Sequence, residues 1–213
     1  MSKKAVLLSI KPKFCELIAS GKKTVEIRKN RPKIDVPFKV YIYCTKGDAP
    51  LVYGSPVPNY IEENLVTTSG YSRKEAERIF DVYNGKVIGE FVCDNINKFR
   101  VFSDSIISSM PFDIEAESCL TLNNINNYIG TGISGYAWHI SDLVIYDKPK
   151  ELSEFYKSCV DKYCYCEGCQ YGYIKYPEWV ETAENLEGIS YDTYCLNLVQ
   201  RPPQNWCYVE ELI

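Results

Sequence analysis

A chain of 213 residues has room for one well-buried core and is short for two full domains, and its net charge of −4 argues against a protein that coats nucleic acid through bulk electrostatics. The charge is uneven, because residues 1 to 46 hold twelve Lys or Arg against three Asp or Glu, and the remainder holds twelve against twenty-five. Ten cysteines would suggest a secreted disulfide protein, but Met1-Ser2-Lys3-Lys4 leads into an apolar run from Ala5 to Leu8 that is too short for a signal core; with no run approaching a membrane span, a cytoplasmic chain with reduced thiols is expected.

The first element is a short amphipathic helix, with Pro12 in its first turn, Phe14, Leu17 and Ile18 at helical spacing, and Gly21 as its stop. Lys22 and Lys23 then meet the negative end of its dipole. From Gly21 to Arg28 the chain turns extended. Val25 and Ile27 alternate with Thr24, Glu26 and Arg28, so one face of a strand is apolar and the other polar, with Lys23 at the strand mouth. That polar face suits capture of a polar, anionic ligand; an exposed strand face with a paired Glu and Arg would look the same from spacing alone. The basic end of the chain has two explanations as well, a local site for a phosphate-bearing strand or nucleotide, or a balance for the acidic remainder inside the fold.

Lys39 to Lys46 reads as a second strand, with Val40, Ile42 and Cys44 opposite Tyr41, Tyr43 and Thr45. Residues 47 to 70, rich in Gly, Pro, Ser and Asn, read as a long surface loop. Ser72 and Glu75 form a capping box for a helix buried through Ala76, Ile79, Val82 and Tyr83 and ended by Asn84-Gly85. Val87 to Ile96 is a central strand with Gly89 at a bend or close backbone approach. Leu122, Ile125 and Ile129 space a helix ending at Gly130, and Gly135 opens a strand through Tyr136, Trp138 and Ile140, continued by Leu143 to Tyr146. Pro149 starts a further helix through Leu152, Phe155 and Tyr156. This order predicts a mixed α+β domain on a small curled sheet or barrel, since the long apolar strands of a doubly wound α/β fold are missing.

Gly21-x-Lys23-x-x-Glu26-x-Arg28 resembles the GxKxxExR signature of the ASCH domain family, which has a PUA-like fold. Ser9-Ile10-Lys11-Pro12, Gly85-Lys86-Val87-Ile88-Gly89 and Gly135-Tyr136-Ala137-Trp138-His139-Ile140 resemble its opening strand and helix, central strand and late aromatic strand, over roughly residues 5 to 150. The resemblance implies a PUA-like small β-barrel decorated with helices, over residues 1–156, that binds single-stranded RNA or a nucleotide in a cleft lined by Lys23, Glu26 and Arg28. In that role Lys23 is a point charge for phosphate, Arg28 a planar fork, and Glu26 an acceptor for a base amino group or the partner that orients Arg28. Tyr136 and Trp138 share a strand face and would stack a base, while His139 points to the other face.

Small bacterial members of the superfamily resemble amidohydrolases that deacylate N4-acetylcytidine with a lysine, a threonine and a glutamate. Lys23 matches the lysine; Glu26 stands where the threonine is expected, and Thr24 lies two residues away, displaced by roughly 6–7 Å along the strand. Lys23, Thr24 and Glu26 are therefore the tentative catalytic set, with Arg28 opposing a base role for Glu26 by holding its carboxyl ionised.

Residues 157–213 have no counterpart in the family and form a Cys/Tyr-rich extension, expected to pack on the barrel or to offer a protein partner an aromatic surface. Trp206 to Ile213 reads as a closing strand. No organic cofactor is expected. Cys159, Cys164, Cys166 and Cys169 raise zinc, because Cys166-Glu167-Gly168-Cys169 has the spacing of a thiolate pair, against which stand free or buried thiols and a redox role. Metal analysis of the chain purified without chelator separates zinc from these, a zinc content near zero leaving the thiols.

Overall fold

A computed structural model of the chain describes residues 3–47, 49–54, 64–68, 70–109, 111–157 and 199–212. In chain order these form strand β1 (Lys4–Ile10), helix α1 (Pro12–Ala19), strands β2 (Val25–Arg28), β3 (Phe38–Cys44), β4 (Leu51–Tyr53) and β5 (Leu65–Thr67), and helix α2 (Arg73–Ile79). Strands β6 (Val87–Cys93), β7 (Ile96–Val101) and β8 (Ile106–Ser108) follow, then helices α3 (Ile114–Ser118) and α4 (Leu122–Ile129), and strands β9 (Ser134–His139), β10 (Ser141–Lys150) and β11 (Trp206–Glu210). The fold is mixed α+β, as expected.

Two sheets position everything else. The first runs β10-β6-β3-β1-β11, with β1 and β3 parallel and the other neighbours antiparallel; the second runs β2-β9-β7-β8. β1 is buried from Ala5 to Ile10, which its unbroken apolar run requires of a strand covered on both faces. Val6, Leu8, Ile10, Val40, Ile42 and Cys44 enter one core with Phe91 and Trp138, while Ala5, Leu7, Tyr41 and Tyr43 enter another with Phe155, Val199 and Val209. The alternation of β3 therefore separates two cores rather than core from solvent. Val25, Ile27, Phe99, Ile125 and Ile129 make a third core beneath the second sheet.

Several elements differ from the sequence reading, each for a local reason. The Ser72 capping box forms, but α2 stops at Ile79, which is 60% exposed. Phe80 turns extended, Val82 bridges Val52, and the Tyr83 amide donates to the Leu51 carbonyl, so pairing with β4 draws the chain off the helix. The long strand from Val87 breaks into β6 and β7. No helix starts at Pro149: β10 continues to Lys150, which pairs with Val87, and only a 3₁₀ turn at Leu152–Glu154 follows before Phe155 is buried against Tyr41. The loop from 47 to 70 contains the β4/β5 hairpin. Barrel closure is not found among the described residues, where β10 and β11 are edges of the first sheet and β2 and β8 of the second. The expected closing strand is present as β11, paired antiparallel to β1 with Ala5 opposite Val209. Cys159, Cys164, Cys166 and Cys169 lie outside the described residues.

Gly89 fits the close approach predicted for it. A Cβ there would stand 2.4 Å from the Val144 carbonyl oxygen, and backbone cannot yield as a side-chain tip can. Gly89→Ala is therefore expected to lower the unfolding free energy by about 2 kcal/mol or more, read from denaturant midpoints; an unchanged midpoint would contradict this packing of β10 on β6.

Candidate functional site

The site grows out of the turn between α1 and β2. Gly21, at φ +71°, ends the helix, and the Lys23 amide donates to the Leu17 carbonyl, which turns the Lys23 side chain inward. Only 2% of Lys23 is exposed. Its ammonium donates to the Val25 carbonyl at 2.8 Å and the Ser118 carbonyl at 2.7 Å, and stands 3.2 Å from Glu26 Oε2. Three protons thus meet three acceptors, and the lysine ties β2 to the last carbonyl of α3.

Glu26 and Arg28 lie on the opposite face of β2 from Val25 and Ile27. Glu26 Oε1 holds Arg28 Nη2 at 2.8 Å while Oε2 holds Lys23, so each carboxylate oxygen faces a cation. Burial works to raise the Glu26 pKa, but Lys23 and then Arg28 outweigh it and hold the carboxyl below its ordinary value. Arg28 also donates through Nη2 to the Ser9 carbonyl at 2.8 Å and through Nη1 to Asn205 Oδ1, while its buried Nε has no partner. Two buried cations share one carboxylate, a formal surplus of one positive charge.

This trio lines a cleft of about 710 Å³. The end of β1 contributes Ser9, and the start of α1 contributes Lys11, Lys13 and Phe14. Lys29 follows β2 directly, α4 supplies Asn124 and Tyr128, and Gln204 and Asn205 come from the segment before β11. Lys11, Lys13 and Lys29 are exposed at the rim, and Glu26 is the one carboxylate among the lining residues. Lys29 lies 5.4 Å from the centre of the Tyr128 ring, which is 39% exposed.

Lys23, Glu26 and Arg28 are brought together as the sequence reading expected, but their face is buried rather than open. Lys23 has no proton left for a phosphate, which removes the point-charge role expected of it. Glu26 is held by two cations and is correspondingly poor at accepting from a base amino group. Trp138 is fully buried with Phe38 6.0 Å and Trp206 6.1 Å away, centre to centre, and Tyr136 packs against the same core; neither lines the cleft. Phe38 and Trp206 cover the Trp138 ring, so it presents no face to a base, and Tyr136 lies outside the cleft. Thr24 is also outside the cleft lining, its hydroxyl donating to a Glu117 carboxylate oxygen. His139 faces Asp94 at 2.6 Å away from the trio. Burial pushes up the thiols of Cys15, with Cys44 adding to the effect, and of Cys93, to about 12, so these are not thiolate nucleophiles at neutral pH. Sequence reasoning missed Lys11, Lys13, Lys29, Phe14, Tyr128 and Asn205. Tyr128 had a signal, as an aromatic residue off the 122, 125, 129 stripe; Asn205, 177 positions from Arg28, had none.

Residues 8–109 match the family model of the ASCH domain. The chain contains an ASCH domain. Among solved structures, an ASCH protein from Zymomonas mobilis is 20% identical, over 70% of this chain and 73% of that one, at a TM-score of 0.43. A serine-to-alanine variant of the Zymomonas mobilis protein is 17% identical, over 96% of this chain and 87% of that one, at a TM-score of 0.47. No curated protein matches the chain. The ASCH match spans the signature trio and the rim lysines, whereas Asn124, Tyr128, Gln204 and Asn205, which complete the cleft, lie beyond it.

Removing Lys23 leaves the Val25 and Ser118 carbonyls unmet and Glu26 with one cation, so Lys23→Met is expected to cost about 3 kcal/mol or more in unfolding free energy; a loss below about 1 kcal/mol contradicts the network. Because the folded Glu26 pKa lies below its ordinary 4.5, the carboxylate's contribution is fully present above that value and is lost as pH falls through the lowered folded one. The stability gap between the native protein and Glu26→Gln should therefore be largest near neutrality and shrink in acid, and a gap constant from neutral to strongly acid pH would contradict it.

Proposed function

We propose that the cleft binds a nucleotide or short single-stranded RNA, on a PUA-like scaffold. The observation that supports this most directly is the surplus positive charge at the cleft floor, where Lys23 and Arg28 share Glu26, below a rim of exposed Lys11, Lys13 and Lys29. A buried surplus charge is costly, and an anion that enters the cleft relieves it in a setting where water screens poorly. The volume lies within the roughly 300–1,000 Å³ of small-molecule sites, which suits one or a few nucleotides rather than a duplex. Phe14 and Tyr128 replace Tyr136 and Trp138 as the rings on which a base stacks.

The amidohydrolase reading lacks comparable support. Lys23 has its protons engaged, Thr24 is turned to Glu117, and Glu26 is held ionised between two cations, so these three residues pair no nucleophile with a free base. An interaction role for the Cys/Tyr-rich extension is compatible with a binding cleft and does not compete with it.

The test is fluorescence polarisation with short labelled single-stranded RNA at several salt concentrations. Lys11, Lys13 and Lys29 are exposed, so their removal leaves the fold in place. Each alanine variant should weaken binding and reduce the slope of log K against log salt by about 0.7 for each phosphate no longer neutralised. Equal affinity of the native protein and the triple lysine variant overturns the proposal.

A further inference from the structure

We propose that the seat formed by Arg28 and Asn205 takes a terminal phosphate monoester, so that the cleft selects nucleotides and strand ends that carry one. The inference rests on the nucleotide-binding reading and adds which part of the ligand reaches the floor.

The groups at the floor are matched to an acceptor-rich anion. Both Glu26 oxygens face cations, the Ser9 carbonyl accepts from Arg28 Nη2, and Asn205 Oδ1 accepts from Nη1. A guanidinium has only donors, so it fixes the Asn205 amide with its oxygen inward and leaves the Nδ2 hydrogens as what this side chain can give a ligand. Arg28 has five N–H donors and three acceptors, Glu26, the Ser9 carbonyl and Asn205 Oδ1, so its buried Nε–H and one Nη1 hydrogen are left over. A base edge that mixes donors and acceptors would leave donors facing donors here. A phosphate brings oxygens alone.

Burial decides between a chain end and a chain interior. The Arg28 side chain is only 8% exposed, so the group that reaches it must protrude from the rest of its molecule. A monoester hangs on a single ester link and offers three free oxygens with about −1.5 to −2 charge at neutral pH. An internal diester offers two oxygens and one charge, flanked by sugars on both sides. The floor's surplus positive charge and the three rim lysines favour the monoester on both counts.

Asn205 also explains why the segment before β11 belongs to the site. Its backbone carbonyl accepts from the Ser9 amide, and the Ser9 hydroxyl donates to the Pro203 carbonyl at 2.6 Å, so Ser9 fixes the cleft wall at Asn205 and two residues before it.

The experiment compares one short ribonucleotide strand with a 5′-phosphate, a 3′-phosphate or hydroxyls at both ends, and uridine with its monophosphate, on the native protein and on Asn205→Asp. The phosphorylated forms should bind about tenfold or more tighter than their hydroxyl partners, as expected for charge-assisted hydrogen bonds, and the two strands show which end is taken. Asn205→Asp keeps an acceptor against Arg28 and cancels the surplus charge; it should retain the thermal midpoint while losing the preference. Binding that ignores the terminal phosphate, yet still depends on Lys29, overturns this inference and leaves the cleft as a general strand site. A preference that survives intact in a folded Asn205→Asp protein overturns it as well. No binding by any ligand overturns both readings.

Discussion

The buried carboxylate of Glu26, shared by Lys23 and Arg28, is the constraint on which the rest of the structure depends. Three charged groups out of water are tolerable only when each finds its partners, and here the partners come from distant parts of the chain. Lys23 takes carbonyls of β2 and α3, Arg28 takes one from β1 and the amide of Asn205, and Glu26 joins the two cations. The signature residues thereby lock α3 and the segment before β11 against the strand that carries them. Their first task is architectural, and the cleft is what that architecture leaves open.

The same arithmetic links fold to function. One carboxylate between two cations satisfies geometry but not charge, and the structure adds exposed lysines around the opening rather than a second acid. On the proposed reading, stability and affinity draw on one network, because an anion in the cleft would meet the same cation that holds β1, β2 and Asn205 together. In the proposed reading the labour divides, with the buried cations setting charge and shape at the floor and the exposed lysines meeting a ligand's phosphates at the rim.

How much of this was legible in the sequence depends on which residues are considered. The helix at Pro12, the capping box at Ser72, the Gly89 approach and the closing strand near Trp206 all rest on local chemistry, and all are found. The alternation in Gly21 to Arg28 separated the two faces of β2 correctly, yet could not tell that both are buried, because burial of the polar face depends on α3, on Ser9 and on a residue 177 positions away. Trp138 and Tyr136 share a strand face that looks available from spacing, but Phe38 and, from the far end of the chain, Trp206 cover it at Trp138. Tyr128 lies off the core-facing 122, 125, 129 stripe of α4, and periodicity marks only the buried side of a helix.

The most direct test of the central claim, an anion seated at the floor, is an NMR titration of the folded protein with a ribonucleoside monophosphate, following the Arg28 Nε–H and Asn205 Nδ2 resonances. The account predicts that these shift together and saturate with the Lys29 signals, and that the plain nucleoside leaves the two floor resonances in place. Saturating shifts confined to the rim or to the opposite face of the sheet, with Arg28 and Asn205 unmoved, would contradict it.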